Sequence, residues 1–264
     1  MNTGKSVFQF LRCILNSRAA QLLTGPVLVI AAWYFVLQLH LLDSRLLPTP
    51  EATFSRLYES IVFGTMLHDV YRTLILVLYG FAIAAILGVP MGIALGSSDK
   101  IYGRMEFLID FFRSLPATAI FPLFMMMFGI TDFTKITIAA FCAYLIIIFN
   151  VAQGVLNARK TRILAAKSMG ASRWRIFCDV IFFETLPQTF VGLRIAISMA
   201  LVIIVVAEMF IGANDGLGHR IIDAQMGYDL TNMYASILMA GILGYGLNYL
   251  FMLMEKRLIH WAGH

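Results

Sequence analysis

Six apolar runs, each close to the length that crosses a bilayer, dominate the chain: residues 22–42, 73–95, 111–129, 136–156, 189–211 and 233–254. Roughly 20 predominantly apolar residues span the hydrocarbon core as a helix. Only a helix or a closed barrel satisfies its own backbone N–H and C=O groups in lipid, and a barrel would read as short alternating segments. The expected class is therefore all-α, a polytopic helical membrane protein of about six transmembrane helices. Composition agrees. The chain is 60% hydrophobic and 13% charged, against about 45–50% and about 25% in soluble domains, which leaves too little polar surface for a water-facing globule. The net charge of +5 then marks loops near anionic headgroups and not a nucleic-acid surface. Cys13, Cys142 and Cys178 form no CxxC pair and are expected to be free thiols.

Two runs need separate argument. The first follows Lys5, Arg12 and Arg18, as a signal peptide would, but it exceeds the usual apolar region of about 7–15 residues. DSRLLP follows it in place of a small-residue cleavage site, so it is expected to be a retained span. The third opens with Arg113 and Pro116, where a kink or restart is expected.

Charge orients the runs. With the N-terminus inside, 14 of the 20 lysines and arginines fall on the cytoplasmic side, Arg113 among them. Five (Arg45, Arg56, Arg72, Lys135 and Arg220) fall on the other side, and Arg194 lies inside the fifth run. The acidic residues lean outward. An excess of basic residues marks cytoplasmic loops, so both termini are expected in the cytoplasm.

Between the fourth and fifth runs lies LAAKSMGASRWRIF, residues 164–177. From Leu164 to Glu184 the charges are Lys167, Arg173, Arg175, Asp179 and Glu184. At about 2.5–3.5 kcal/mol each, five such charges near mid-bilayer would cost on the order of 12–17 kcal/mol. The segment is expected to stand out on the cytoplasmic side. Gly170-Ala171-Ser172 reads as a break between helices, with Ser172 capping a second short helix. On that helix Trp174, Phe177 and Ile181 form an apolar stripe against the membrane or the base of the spans. Two functions fit: a basic face for anionic lipid, or a small-residue bend that another protein approaches closely.

LAAKSMGASRW followed by ETLPQTFVGLRIAIS resembles the EAA signature of ABC importer permeases. Ala165, Ala166 and Gly170 fit its spacing, as does Pro187 in its downstream proline-ended stretch. Leu164 stands where the glutamate is usual, and Phe183 where many relatives have a first proline. Three other blocks resemble the nitrate/sulfonate/taurine/bicarbonate branch of binding-protein-dependent importers: LLPTPEATFSRL, RSLPATAIFPLFMMMFGITDFTKI and VGLRIAISMALVIIVVAEMFIGANDGLG. The resemblance covers most of the chain. It implies the type I importer architecture, a single permease domain over residues 1–264, and an ATPase-coupling loop at about 157–187 carrying Ala165, Ala166, Gly170, Ala171 and Ser172. It also implies a bacterial inner-membrane protein that works with a second permease copy as a homodimer. Two cytoplasmic ABC ATPase subunits and a periplasmic or lipid-anchored solute-binding protein would complete the assembly. The cargo would be a small, anionic solute, though related members carry pyrimidine precursors or aromatic acids.

No catalytic or cofactor site is expected on this chain. NTGKS at residues 2–6 ends like a Walker motif, but no strand precedes it. His260 and His264 share a helical spacing without a third metal ligand. Glu208 is the one acid inside a run's apolar stretch. It is either a gate or substrate-path residue, or a structural acceptor for the glycine-rich loop that follows or a partner of Arg220. Met199 and Phe128 join it as candidates for the path. A secondary transporter or channel would show paired broken helices or several buried charges. An intramembrane protease would need a serine–histidine pair or two buried aspartates. Neither pattern is present in the runs.

Overall fold

A computed structural model describes residues 18–39, 46–158, 160–212 and 214–259. Cys13, the 2–6 segment, His260 and His264 lie outside the described residues. Within them the regular structure is helical: α1 (Arg18–Gln38), α2 (Pro50–Val62), α3 (Met66–Gly96), α4 (Asp99–Ser114), a 3-10 turn (Ala117–Ile120), α5 (Phe121–Phe128), α6 (Asp132–Leu156), α7 (Lys160–Ser168), α8 (Arg173–Ile176), a π turn (Phe177–Ile181), α9 (Phe182–Phe210), α10 (Leu217–Met226) and α11 (Leu230–Leu258).

Four helical stretches of the described residues are long and apolar enough to cross a bilayer, and a bent fifth joins them if α4 and the 117–128 segment count as one span. The first expected run appears as α1, whose apolar described part covers Thr24–Gln38. Trp33 donates its indole N–H to the Pro48 carbonyl at 3.1 Å and its ring lies 5.9 Å from Tyr234, which seats α1 beside the start of α11.

The third run is not one rod. Its first residues, Phe111–Ser114, finish α4, and the chain then turns through 89° into the Ala117–Phe128 segment. The cause is local. Pro116 pushes the residue before it out of the helical region, and Leu115 sits at ψ 129°.

The core is a three-helix sandwich in which α6 packs between α3 and α9. Val77 and Ala84 of α3 meet Ile138, Ala139, Ala143, Ile147 and Val151 of α6, and Ala196, Ala200, Ile204 and Ala207 complete it from α9. Small residues permit the approach, as is usual where the solvent is lipid and apolar burial alone drives nothing. On α3, Gly88, Gly92 and Gly96 repeat every fourth residue and so share one face. A Cβ at Gly92 would lie 2.7 Å from Val151 Cβ, and one at Gly96 would lie 2.6 Å from the Ala152 carbonyl oxygen.

The fifth span differs from expectation at its start. Its helix does not begin near residue 189 but runs unbroken from Trp174 to Phe210. The π turn at Phe177–Ile181 carries α8 directly into α9, so the second short helix is the N-terminal extension of the span. Arg175, Asp179 and Glu184 disfavour lipid around this stretch, but nothing in them stops a helix.

Candidate functional site

The loop between α6 and α9 ends its first helix with a Schellman motif. Gly170 occupies φ +77°. Its N–H bonds the Lys167 carbonyl at 3.0 Å, and the Ala171 N–H reaches back to Ala166 at 3.1 Å. A left-handed residue is required at that position, and glycine adopts it without steric cost. Ser172 Oγ then accepts from the Arg175 N–H at 3.3 Å, capping the next helix. At the root of the loop Arg162 Nη1 bonds Glu184 Oε1 at 2.8 Å, tying α7 to the first turn of α9.

The five residues of the expected docking bend therefore share one reverse turn. Ala165, Gly170 and Ser172 are exposed, and Ala166 and Ala171 are half-buried. A Cβ at Gly170 would meet nothing within 4 Å. Leu164, Met169 and Trp174 are all exposed around it. Phe177, whose ring stacks on Trp174 with centroids 5.8 Å apart, and Ile181 line a pocket with the Gly96–Lys100 connection between α3 and α4. The bend thus presents small and apolar groups on a basic segment while its back rests on the spans.

The three path candidates are not brought together. Met199 of α9 lines a cavity of about 480 Å³ under the 89° bend. Phe128 ends α5, edge-on to Phe133 with ring centroids 5.3 Å apart. Glu208 is 1% exposed, at the opposite end of α9. Its carboxylate accepts from Thr73 Oγ1 at 2.9 and 3.0 Å and from the Gly218 N–H at 2.8 Å. Thr73 Oγ1 in turn accepts from the Leu217 N–H at 2.9 Å, and Asp69 Oδ1 from the Gly216 N–H at 3.1 Å. These amides open α10, where a helix leaves its first N–H groups without internal partners and favours negative charge. Side chains from α3 and α9 supply the acceptors. Arg220 pairs with Asp69 at 3.1 Å, not with Glu208.

Around this cap the same end of the bundle is knitted by ion pairs. Arg72 bridges Asp215 at 2.9 Å and Asp132 at 3.0 Å, Lys135 also binds Asp132 at 3.0 Å, and Arg56 binds Asp229 at 3.2 Å. The acidic residues that lean outward in the sequence are the partners of the cations there.

Glu208→Leu removes both acceptor oxygens of the cap and leaves the buried Gly218 N–H without its partner. An unsatisfied buried group costs about 1–3 kcal/mol, so the variant should melt at a lower temperature than the parent in detergent. A melting point equal to the parent's would show that the cap contributes nothing to stability.

A bundle of long apolar helices, with a basic reverse turn at one end and an ion-paired cap at the other, is the architecture of a polytopic membrane protein. Residues 84–262 match the profile of the binding-protein-dependent transport system inner membrane component. The chain is 32% identical to a probable ABC transporter permease protein of Brucella melitensis, over 88% of this chain and 93% of that one. It is 28% identical to the taurine transport system permease protein of Escherichia coli, over 94% and 92% of the two chains. It is 27% identical to a putative aliphatic sulfonates transport permease protein of Bacillus subtilis, over 89% and 85%. A chain of the inward-facing MetNI methionine ABC transporter superposes with a TM-score of 0.61 at 21% identity, over 75% of this chain and 96% of that one. The chain belongs to the binding-protein-dependent ABC importer permeases and has their type I fold.

Sequence reasoning missed the glycine face of α3, although its four-residue spacing is written in LGVPMGIALG. It also did not foresee that Arg113 lines a cavity. The structure puts Arg113 against the cavity, with its guanidinium carbon 3.8 Å from the Phe149 ring centroid. The proximity of Arg113 to Pro116 was the available signal.

Proposed function

We propose that the segment at about 157–187 is the coupling loop of this permease, docking in a cleft of a cytoplasmic ABC ATPase subunit. The observation that carries the reading is the Gly170 reverse turn, which holds Ala165, Ala166, Ala171 and Ser172 at a projecting bend rooted on α9 through the Arg162–Glu184 pair. A push on the bend passes along one continuous helix from Trp174 to Phe210. Two copies of the chain, two ATPase subunits and a solute-binding protein make the working assembly, embedded in bacterial inner-membrane lipid with both termini cytoplasmic. Closure of the ATPases on ATP swings the spans between inward- and outward-facing states. The cargo is a small anionic solute, a reading supported by the relatives named for taurine and aliphatic sulfonates.

All ATP chemistry then belongs to the partner subunit. The purified chain should hydrolyse no ATP, and hydrolysis should appear when an ATPase subunit is bound. Turnover by the pure chain alone would contradict the division of labour.

A further inference from the structure

The cavity under the 89° bend lies between the end of α4, the inner half of α6 and the middle of α9. At about 480 Å³ it falls in the range of small-molecule sites, about 300–1,000 Å³. Its walls are mostly apolar, including Phe149, Leu115 and Met199, with Arg113 and Asn150 as polar groups and Cys142 on the same wall. Asn150 is held rigidly, donating to the Ile146 carbonyl at 2.8 Å and accepting from Gln188 at 3.2 Å.

Arg113, like Arg194, is held more loosely than the other cations near the spans. Arg72, Lys135, Arg220 and Arg56 are each within 3.2 Å of a carboxylate, and Arg194 of α9 faces Glu255 at 3.5 Å. Among the described residues Arg113 forms an ion pair with Asp110 at 3.4 Å, and the Asp110 side chain is 57% exposed. That contact engages one of five guanidinium N–H donors. Phe149 covers a face of the guanidinium and leaves its rim for a planar or tetrahedral oxyanion. A cation that lines a cavity between membrane-spanning helices is a candidate for solute contact.

We propose that this cavity is a solute-contact site within the permease, and that Arg113 is its specificity-determining residue, taking the oxyanion head of a sulfonate- or carboxylate-type solute while Phe149 and Met199 hold its apolar part. The proposal rests on the permease reading and adds that charge selection resides in the membrane component as well as in the binding protein. A cavity walled by low-dielectric groups and lined by one sign of charge concentrates the opposite ion about tenfold or more.

Cys142 reports on the site directly. In the purified full-length chain with Cys13 and Cys178 changed to serine, labelling by the anionic reagent 2-sulfonatoethyl methanethiosulfonate is compared with labelling by its trimethylammonioethyl counterpart. Each rate is divided by that reagent's rate with a free thiol in solution. The anionic reagent should be favoured at least about tenfold, the preference should survive in Arg113→Lys and fall to about unity in Arg113→Gln, and ethanesulfonate should slow the reaction where tetramethylammonium does not. Equal normalised rates in the parent, no reaction with either reagent, or a preference unchanged in Arg113→Gln would each overturn the proposal. Should Arg113→Gln fail to fold, the parent ratio and the ethanesulfonate protection decide alone. The assay needs neither ATPase nor binding protein, so its failure is distinct from a failure of the coupling assignment.

Discussion

Replacing Gly92 by leucine should prevent the chain from accumulating as a folded protein. A Cβ there would lie 2.7 Å from Val151 Cβ, 2.9 Å from Val151 Cγ1 and 3.0 Å from the Ile148 carbonyl oxygen. Val151 is fully buried between α3 and α9, and a carbonyl in mid-helix cannot retreat. Alanine alone should cost about 1–3 kcal/mol by overpacking. Leucine adds three more carbons to the same contact and forces α3 off α6, so its loss should exceed that of alanine. Folded yield from detergent and the melting midpoint measure both. Gly103 of α4 supplies the control, since a Cβ there would meet nothing within 4 Å. A Gly92→Leu protein with the parent's yield and midpoint would show that the α3–α6 contact is looser than the geometry states.

The second large effect is expected at Gly170, where conformation and docking must be separated. At φ +77° any side chain strains the backbone, by roughly 1–2 kcal/mol for an ordinary L-residue. Asparagine is better tolerated in that region. Gly170→Asn should therefore keep the turn and most of the coupling. Gly170→Arg has room in the free chain, because nothing lies within 4 Å of its Cβ. In a docked bend it would overpack a close contact by about 1–3 kcal/mol and risk burying an unpaired charge. ATPase association should weaken at least about tenfold, the equivalent of ~1.4 kcal/mol, while membrane abundance stays near that of the parent. Were the bend a lipid-facing surface, arginine would add one cation to a basic face. The two variants would then transport alike.

Much of this was legible in the sequence, for reasons that particular residues make plain. Long apolar runs report directly on burial in lipid, and Gly170 with Ser172 three residues before Arg175 is a local signal of a helix end and a helix start. Pro116 announced a break in the third run, but not its direction, which is set by what α4 and α5 pack against. Glu208 as an acceptor for the glycine-rich loop was legible, since Gly218 lies only ten residues on. The part of Thr73 was not, because Thr73 and Glu208 are 135 residues apart and meet through the fold alone. The continuity of α8 with α9 was obscured for a different reason. Charges tell how deep a residue can lie, not where its helix stops, and Arg175 with Asp179 at 3.7 Å is a compatible pair one turn apart on a helix.

The central claim is that the Gly170 bend touches an ATPase on the cytoplasmic side. Met169 is 86% exposed at the tip of that bend, so a photoreactive benzoylphenylalanine introduced there samples what the tip meets in the membrane. On irradiation of membranes containing the full chain and a tagged cognate ATPase subunit, the account predicts a covalent adduct between the two, lost when Gly170→Arg is also present. Adducts with lipid alone, with the ATPase subunit present and active, would contradict it.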